Sequence, residues 1–364
     1  MKHSDNDGAE LLPSVSVILP IRNEEQYIER TLNSVFNQDY PSDQMEVLAV
    51  DGRSDDATRE IVSRLQQKHS NLRLLDNPGR IQSVALNVAT AEARGDIIVR
   101  VDGHCQLEPD FLRCGVRHLQ RDDIGGVGGP IETVGETFIA GTIAVAMSSP
   151  FGVGNSTFRT TTDKGAMVDC IPFPAYKRQV IEKAGPYNEE YPCNEDNEYS
   201  FRMRRLGVRL LLAPDVRSRY FCRNNLRKLS RQYFRYGYWK VPVMQTYPSR
   251  MRLRHFVPSL FVISLATTLI VSPAFPWSRW LFLLIVGLYG TSSLFFSQVA
   301  ARKHNWLMLP LLPIVYFVLH SFYGIGFLFG LFVFWNRWSD RRRSLPELVA
   351  QPVSAGHSHI DKTA

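Results

Sequence analysis

Three apolar runs without a formal charge, residues 256–275, 280–301 and 306–335, lie close together near the end of this 364-residue chain. A helix needs about 20 apolar residues to cross a hydrocarbon core of about 30 Å, so the first two runs have spanning length. The third would be about 45 Å long as one helix, at about 1.5 Å per residue. It holds Pro310, Pro313, Gly324, Gly326 and Gly330, so a bend is expected there. Basic clusters flank the runs: Arg250, Arg252 and Arg254, then Arg302 and Lys303, then Arg341, Arg342 and Arg343. Such clusters mark the cytosolic side of a membrane. Three simple crossings would leave the last cluster outside, so the sequence predicts two full spans plus a kinked or re-entrant pair.

Charge is as unevenly spread as hydropathy. Residues 200–255 contain fifteen Lys/Arg and one acid, Asp215, a net of about +14 against +7 for the whole chain. The remainder is net acidic by about 7, which excludes a uniformly basic nucleic-acid coat and fits a basic zone beside a membrane surface. Membrane lipids are therefore expected partners and nucleic acid is not. The five cysteines, at 105, 114, 170, 193 and 222, form no CxxC pair and leave an odd one over. With a polar opening segment and no secretion signal, they read as reduced, structural thiols on the cytosolic side.

Ahead of the basic zone the periodicity alternates. Residues 15–19 (VSVIL) form a buried-strand pattern ending at Pro20, after which Asn23 is placed to cap a helix carrying Ile28, Leu32, Val35 and Phe36. Residues 47–50 give a second strand, stopped by Asp51-Gly52. Ser54 or Asp55 would cap the next helix, with Ile61, Val62 and Leu65 inward. A third strand at 72–75, a helix at 80–93 and a fourth strand at 96–101 follow, ending in Asp102. Strand–helix alternation is the mark of a parallel sheet covered on both faces, and such sheets bind ligands beyond the carboxyl ends of their strands. Asp51 and Asp102 both fall there. From 121 to 191 the pattern is irregular and rich in Gly, Thr and Pro; a helix at 196–206 and a strand at 208–212 then return.

Three constellations can carry chemistry. Asp102-Gly103-His104 offers two ligands at i and i+2 that could hold a divalent cation against a diphosphate, although an Asp after a strand often only caps a turn. Residues 194–197 (NEDN) put the carboxylates of Glu195 and Asp196 at a helix start, where they can act as caps or as a general base. Gln232 and Arg235 lie one turn apart on a helix also bearing Tyr233, Tyr236, Tyr238 and Trp239. They suit a phosphate or sugar, and the segment equally suits an interfacial amphipathic helix. Gly125–Gly129 (GGVGG) reads as a turn, His320 as an interhelical hydrogen bonder, and His357 and His359 as tail.

Taken in this order, the motifs resemble family 2 glycosyltransferases of GT-A fold: VSVILPIRNEE at 15–25, VDGRSDD at 50–56, RVDGHC at 100–105, NEDNEYSFRMRRLG at 194–207 and RQYFRYGYW at 231–239. FGVGNSTFR at 151–159 and HSFYGIGFLFG at 320–330 are similar to the membrane-attached, ExoA-like branch of succinoglycan biosynthesis. The resemblance implies an α/β, Rossmann-like, mostly parallel GT-A domain at 13–240. A flexible 1–12 precedes it; a basic juxtamembrane segment at 241–255, a membrane region of two to four hydrophobic helices at 256–335 and a flexible basic tail at 336–364 follow. It implies an inverting hexosyltransferase using a nucleotide sugar, UDP-linked, with Mg²⁺ or Mn²⁺. The acceptor would be a polyprenyl-diphosphate-linked saccharide, and the enzyme would sit in the inner membrane with its catalytic domain in the cytoplasm. By this resemblance Pro20, Asn23, Glu24, Asp51, Arg80, Asn87 and Asp102 would bind the nucleotide sugar, and Asp102 and His104 the metal. Asp196 would be the catalytic base, and Glu195, Gln232 and Arg235 would meet the acceptor or diphosphate; Tyr236 stands where the family motif usually has Trp. Transfer directly onto polyprenyl phosphate and a non-catalytic membrane role are the alternatives.

Overall fold

The computed structural model describes residues 12–154, 156–160 and 165–339. The expected flexible start, apart from Leu12, and the tail beyond Ser339 lie outside the described residues. Strand β1 (Val15–Ile21) is buried at all seven positions because it is central, pairing in parallel with β2 (Met45–Asp51) on one side and β4 (Ile97–Arg100) on the other. Its residues alternate between two cores. Val15, Val17, Leu19 and Ile21 join Ile28, Leu32 and Val35 of α1 (Ile28–Phe36) and Val62 and Leu65 of α2 (Thr58–Gln66). Ile18 instead meets Ala85, Leu86 and Ala89 of α3 (Gln82–Glu92) on the opposite face. The apolar run thus reflects burial on two sides. β3 (Leu72–Asp76) closes the outer edge beside β2.

Past β4 come β5 (Cys105–Leu107), α4 (Phe111–Leu119), β6 (Gly126–Gly128), β7 (Ile131–Val134), α5 (Phe138–Met147), the short α6 (Pro150–Val153) and α7 (Thr157–Thr160), β8 (Ala166–Met167), β9 (Ala175–Lys177) and α8 (Arg178–Ala184). α9 (Glu195–Arg205), β10 (Leu210–Leu212) and β11 (Ser218–Phe221) complete the domain's sheets. The main sheet runs β3-β2-β1-β4-β9-β6-β10-β8, with β9 antiparallel between β4 and β6; a second sheet is ordered β5-β11-β7. β9 breaks the parallel run just where Asp102 emerges, opening a crevice at the carboxyl ends of β1 and β4.

Helix α10 (Leu226–Thr246) runs through the expected boundary at residue 240, so the basic juxtamembrane segment begins as its last turns. The apolar runs form α11 (Val257–Val271), α12 (Trp277–Lys303) and α13 (Leu312–Val333). α12 and α13 are long and apolar enough to cross a membrane; α11, with 15 residues, is shorter. The expected kinked or re-entrant pair at 306–335 is not found: a single turn at Trp306–Met308 precedes one continuous helix. Pro310 precedes it and Pro313 sits in its first turn, where a missing N–H costs no helical bond. The glycines serve packing instead. A Cβ on Gly326 would collide with the Phe234 carbonyl, and one on Gly237 with that of Tyr323, so bare backbone is what lets α10 and α13 lie this close.

Candidate active site

Arg100, the last residue of β4, is the one charge in the run Ile97–Val101, and it organises the crevice. Its side chain is 9% exposed. Nε lies 3.2 Å from Asp102 Oδ1 and a terminal nitrogen 3.1 Å from Glu195 Oε1, so one guanidinium ties the end of β4 to the start of α9. Gln82 Nε2 donates to the same Asp102 oxygen at 3.2 Å. Burial pushes the Glu195 carboxyl up to about 7 even though Arg100 pulls it down. Next to it, Asp196 Oδ1 accepts from the Asn197 amide N–H at 2.8 Å and its side-chain N–H₂ at 2.9 Å. Asn194 makes the turn in left-handed conformation, φ 64°, and its side chain donates to the Tyr236 carbonyl of α10 at 3.2 Å. Asn197 in turn accepts from Lys240 Nζ at 3.0 Å.

These groups line one cleft of about 1520 Å³. Pro20, Glu24, Arg80, Asp102, His104, Glu195, Asp196, Gln232 and Arg235 all border it, so nine of the twelve residues named from sequence are brought together. Asn23, Asp51 and Asn87 do not border it. Asp51 is 1% exposed and accepts from Ser54 Oγ at 2.5 Å and from Arg59 at 3.3 Å, holding the loop after β2. Asn23 does not cap α1: at φ 56° it donates its N–H to Ser54 Oγ (2.9 Å) and accepts from the Asp55 N–H (3.0 Å), stapling two loops. Nor do Ser54 or Asp55 cap α2; Asp56 accepts from the Thr58 N–H at 3.0 Å. Asn87 bonds both backbone groups of Tyr187 (2.7 and 3.0 Å) and Glu189 (2.8 Å), fixing α3 to the segment before α9. Gln232 turns inward to the hydroxyls of Tyr236 (2.7 Å) and Tyr220 (3.3 Å), leaving its buried Oε1 without a partner, and Arg235 donates to the Pro192 carbonyl at 3.2 Å. Sequence reasoning missed Arg100, Gln82 and Lys240; only Arg100 carried a signal, as a charge in an apolar strand.

His104 Nδ1 sits 2.9 Å from Glu24 Oε1, with Tyr220 edge-on at 5.0 Å. Burial disfavours the imidazolium, but the Glu24 carboxylate outweighs it and lifts the pKa to about 9. A carboxylate that takes Nδ1–H orients Nε2 as a metal ligand. Among the described residues no group of three or more His, Cys, Asp or Glu could hold a metal ion. A two-donor set, Asp102 and His104, suits a hard cation that takes its other ligands from phosphate and water. All five thiols are free; burial raises those of Cys170 and Cys193, at the cleft wall, to about 12, so they are inert.

The profile of glycosyl transferase family 2 matches residues 16–185. Over 325 residues the chain is 27% identical to the dolichyl N-acetyl-alpha-D-glucosaminyl phosphate 3-beta-D-2,3-diacetamido-2,3-dideoxy-beta-D-glucuronosyltransferase of Methanococcus voltae, covering 87% of this chain and 97% of that one. Over 329 residues it is 28% identical to the succinoglycan biosynthesis protein ExoA of Rhizobium meliloti, covering 90% and 96%. Its fold is similar to that of mannosyltransferase PcManGT from Pyrobaculum calidifontis, solved with GDP-Man and Mn²⁺, with a TM-score of 0.56, 22% identity and 88% of each chain covered. With the β1–β4 sheet and the Asp102 turn inside the matched segment, and relatives aligned nearly end to end, residues 16–185 carry a glycosyl transferase family 2 domain, and the protein is a glycosyltransferase of GT-A fold.

Proposed function

We propose that this glycosyltransferase moves a hexose, with inversion, from a UDP-sugar to a polyprenyl-diphosphate-linked saccharide in the synthesis of an exopolysaccharide or surface glycan. The observation that carries the reading is the Arg100 bridge, which holds Asp102 and Glu195, and with it Asp196, at one cleft. Pro20, Glu24 and Arg80 border the donor end, at the carboxyl edges of β1 and β3. Asp196 takes the proton from the acceptor hydroxyl, which attacks the anomeric carbon on the side opposite the leaving diphosphate. A positioned base of this kind contributes about 10²–10⁴-fold. Asn197 donates two hydrogen bonds to one Asp196 oxygen and so aims the carboxylate. A divalent cation, Mg²⁺ or Mn²⁺, held by Asp102 and His104, would neutralise charge on the departing diphosphate. The fusion of the basic zone to α11–α13 supports a multi-pass protein of the inner membrane, its transferase domain in the cytoplasm, acting on a lipid-borne acceptor. That the M. voltae relative is named for a dolichyl sugar phosphate supports the same acceptor class.

The test is a donor screen on membranes containing the protein, with mass and linkage analysis of the lipid product, repeated with Asp196→Asn. Transfer should fall at least about 10²-fold in the variant while UDP binding stays intact. Retained turnover removes Asp196 from the base role, and label on bare polyprenyl phosphate instead of a lipid-linked saccharide moves the enzyme to the alternative acceptor.

A further inference from the structure

Helix α13 has no formal charge and is long enough to cross a membrane, yet it meets the transferase domain from end to end. At its start Leu312, Val315, Tyr316 and Leu319 are fully buried, in the same core as β1, α1 and α5. Tyr316 meets the Phe151 ring of α6 edge-on at 5.0 Å, and His320 Nε2 sits 2.8 Å from the Phe151 carbonyl. The second half of α13 lies on α10, where a Cβ on Gly330 would strike the Tyr238 carbonyl. Past its last turn the Phe334 carbonyl accepts from Gln245 Nε2 at 2.8 Å, and Arg337 lies 3.9 Å from Glu190, just ahead of α9. α12 differs: its apolar stretch is 11% buried, against 44% for that of α13.

The opposite face of α13 is apolar and open. Ile314, Phe317, Ile325, Phe329 and Phe332 are exposed, and at helical spacing they form one stripe facing away from the domain. α11 and α12, packed beside it, are open at Leu260, Ile263, Leu288 and Phe295. Apolar surface of this extent on the outside of a protein marks an interaction site. Its borders fit lipid. Exposed Trp306, with the Arg302 guanidinium over its ring, precedes α13, and exposed Trp335 and Arg337 follow it; such residues anchor at headgroup level. A helix of 22 residues is about 33 Å long, so a spanning α13 would have one end on each side of the bilayer. Here both ends rest on one domain.

Resting on the cytoplasmic placement proposed above, we infer that α13 lies in the plane of the cytoplasmic leaflet and does not cross the bilayer. Its stripe enters the acyl chains while its inner face stays in the core of the domain, as in an interfacial helix. Passage through the bilayer is left to the α11–α12 hairpin, which enters and returns on one side. All the basic clusters then fall in the cytoplasm: Arg250, Arg252 and Arg254, Arg302 and Lys303, and Arg341, Arg342 and Arg343. Gln232 and Arg235 at the cleft belong to α10, whose Gly237 backs onto α13, so the depth of α13 fixes how far the cleft stands from the acyl chains.

The test spin-labels Ile314→Cys, Ile325→Cys and Phe332→Cys, all at exposed sites, in the full-length chain in vesicles. Collisions with oxygen and with a nickel chelate report the depth of each label, and wild type labelled in parallel supplies the background from its own thiols. The three depths should agree to within about 5 Å and lie about 5–10 Å below the headgroups. A middle label more than about 10 Å deeper than the outer two is the profile of a spanning helix and overturns the inference. Labels that meet only water overturn it as well, by removing lipid from the stripe. A second measurement fixes the side: Lys303→Cys and Trp335→Cys should both react with an impermeant maleimide in inside-out vesicles, and neither in right-side-out ones. Reaction of one on each side overturns the in-plane helix. Reaction of both only in right-side-out vesicles keeps the helix in plane and overturns the cytoplasmic placement of the domain instead.

Discussion

Replacing Arg100 with methionine removes the one cation between two carboxylates and keeps nearly the same volume. Its ion pairs with Asp102 and Glu195, at 3.2 and 3.1 Å, join residues that are 20% and 5% exposed at the side chain. Breaking a buried ion pair by deleting one partner costs about 3–5 kcal/mol, because the remaining charge stays buried. The cost depends on pH in a definite direction. The Glu195 pKa, raised from 4.5 to about 7, means the folded state binds the extra proton between those values, so its contribution to stability falls as pH rises through that window. Without Arg100 the pKa moves higher and the fall continues past pH 7. At pH 8 the variant should therefore lose most of the about 3–5 kcal/mol, a drop of roughly 6–20 °C in melting temperature for a domain of this size. At pH 5.5, with Glu195 protonated in both proteins, the difference should shrink by more than half. Thermal unfolding of the full chain in one micelle at both pH values measures this. A loss below about 1 kcal/mol at pH 8, or one equal at both pH values, refutes the view that Arg100 neutralises this pair.

The pairing of His104 with Glu24 makes metal binding compete with a proton: Mn²⁺ affinity, followed by electron paramagnetic resonance, should rise about tenfold from pH 7 to pH 8, and a flat profile removes His104 from the ligand set. Asp102→Ala should abolish metal-dependent UDP-sugar binding; unchanged metal dependence would point to another ligand. Gly326→Ala should destabilise the α10–α13 contact by about 1–3 kcal/mol, seen as increased protease cleavage between α10 and α11, and wild-type resistance would show that the helices are not closely apposed.

Three of the residues named from sequence stand away from the cleft for one shared reason. Asn23, Asp51 and Asn87 belong to motifs that read as ligand-facing, yet each spends its hydrogen-bonding groups on backbone or side chains of another loop. A motif shows that a polar side chain is needed at a position; it does not show whether that side chain holds the site together or faces the substrate. The third apolar run forms one continuous helix, against the expected bend, for a related reason. Proline and glycine suggest a bend only when nothing else uses them, and here Pro313 starts α13 while Gly326 admits the backbone of α10.

What the amino-acid order settled unaided is local: β1 to β4 alternating with α1 to α3, the carboxylates that end β2 and β4, and the apolar runs. Backbone hydrogen bonding makes periodicity a property of neighbouring residues, and burial on two faces writes itself as an unbroken apolar strand. What tertiary structure alone decided is which distant charges meet. Arg100 and Glu195 become partners only because α9 folds back over the sheet edge, and Lys240 reaches Asn197 only because α10 crosses beside it. Contacts between residues so far apart depend on how the whole chain closes, which no local pattern records.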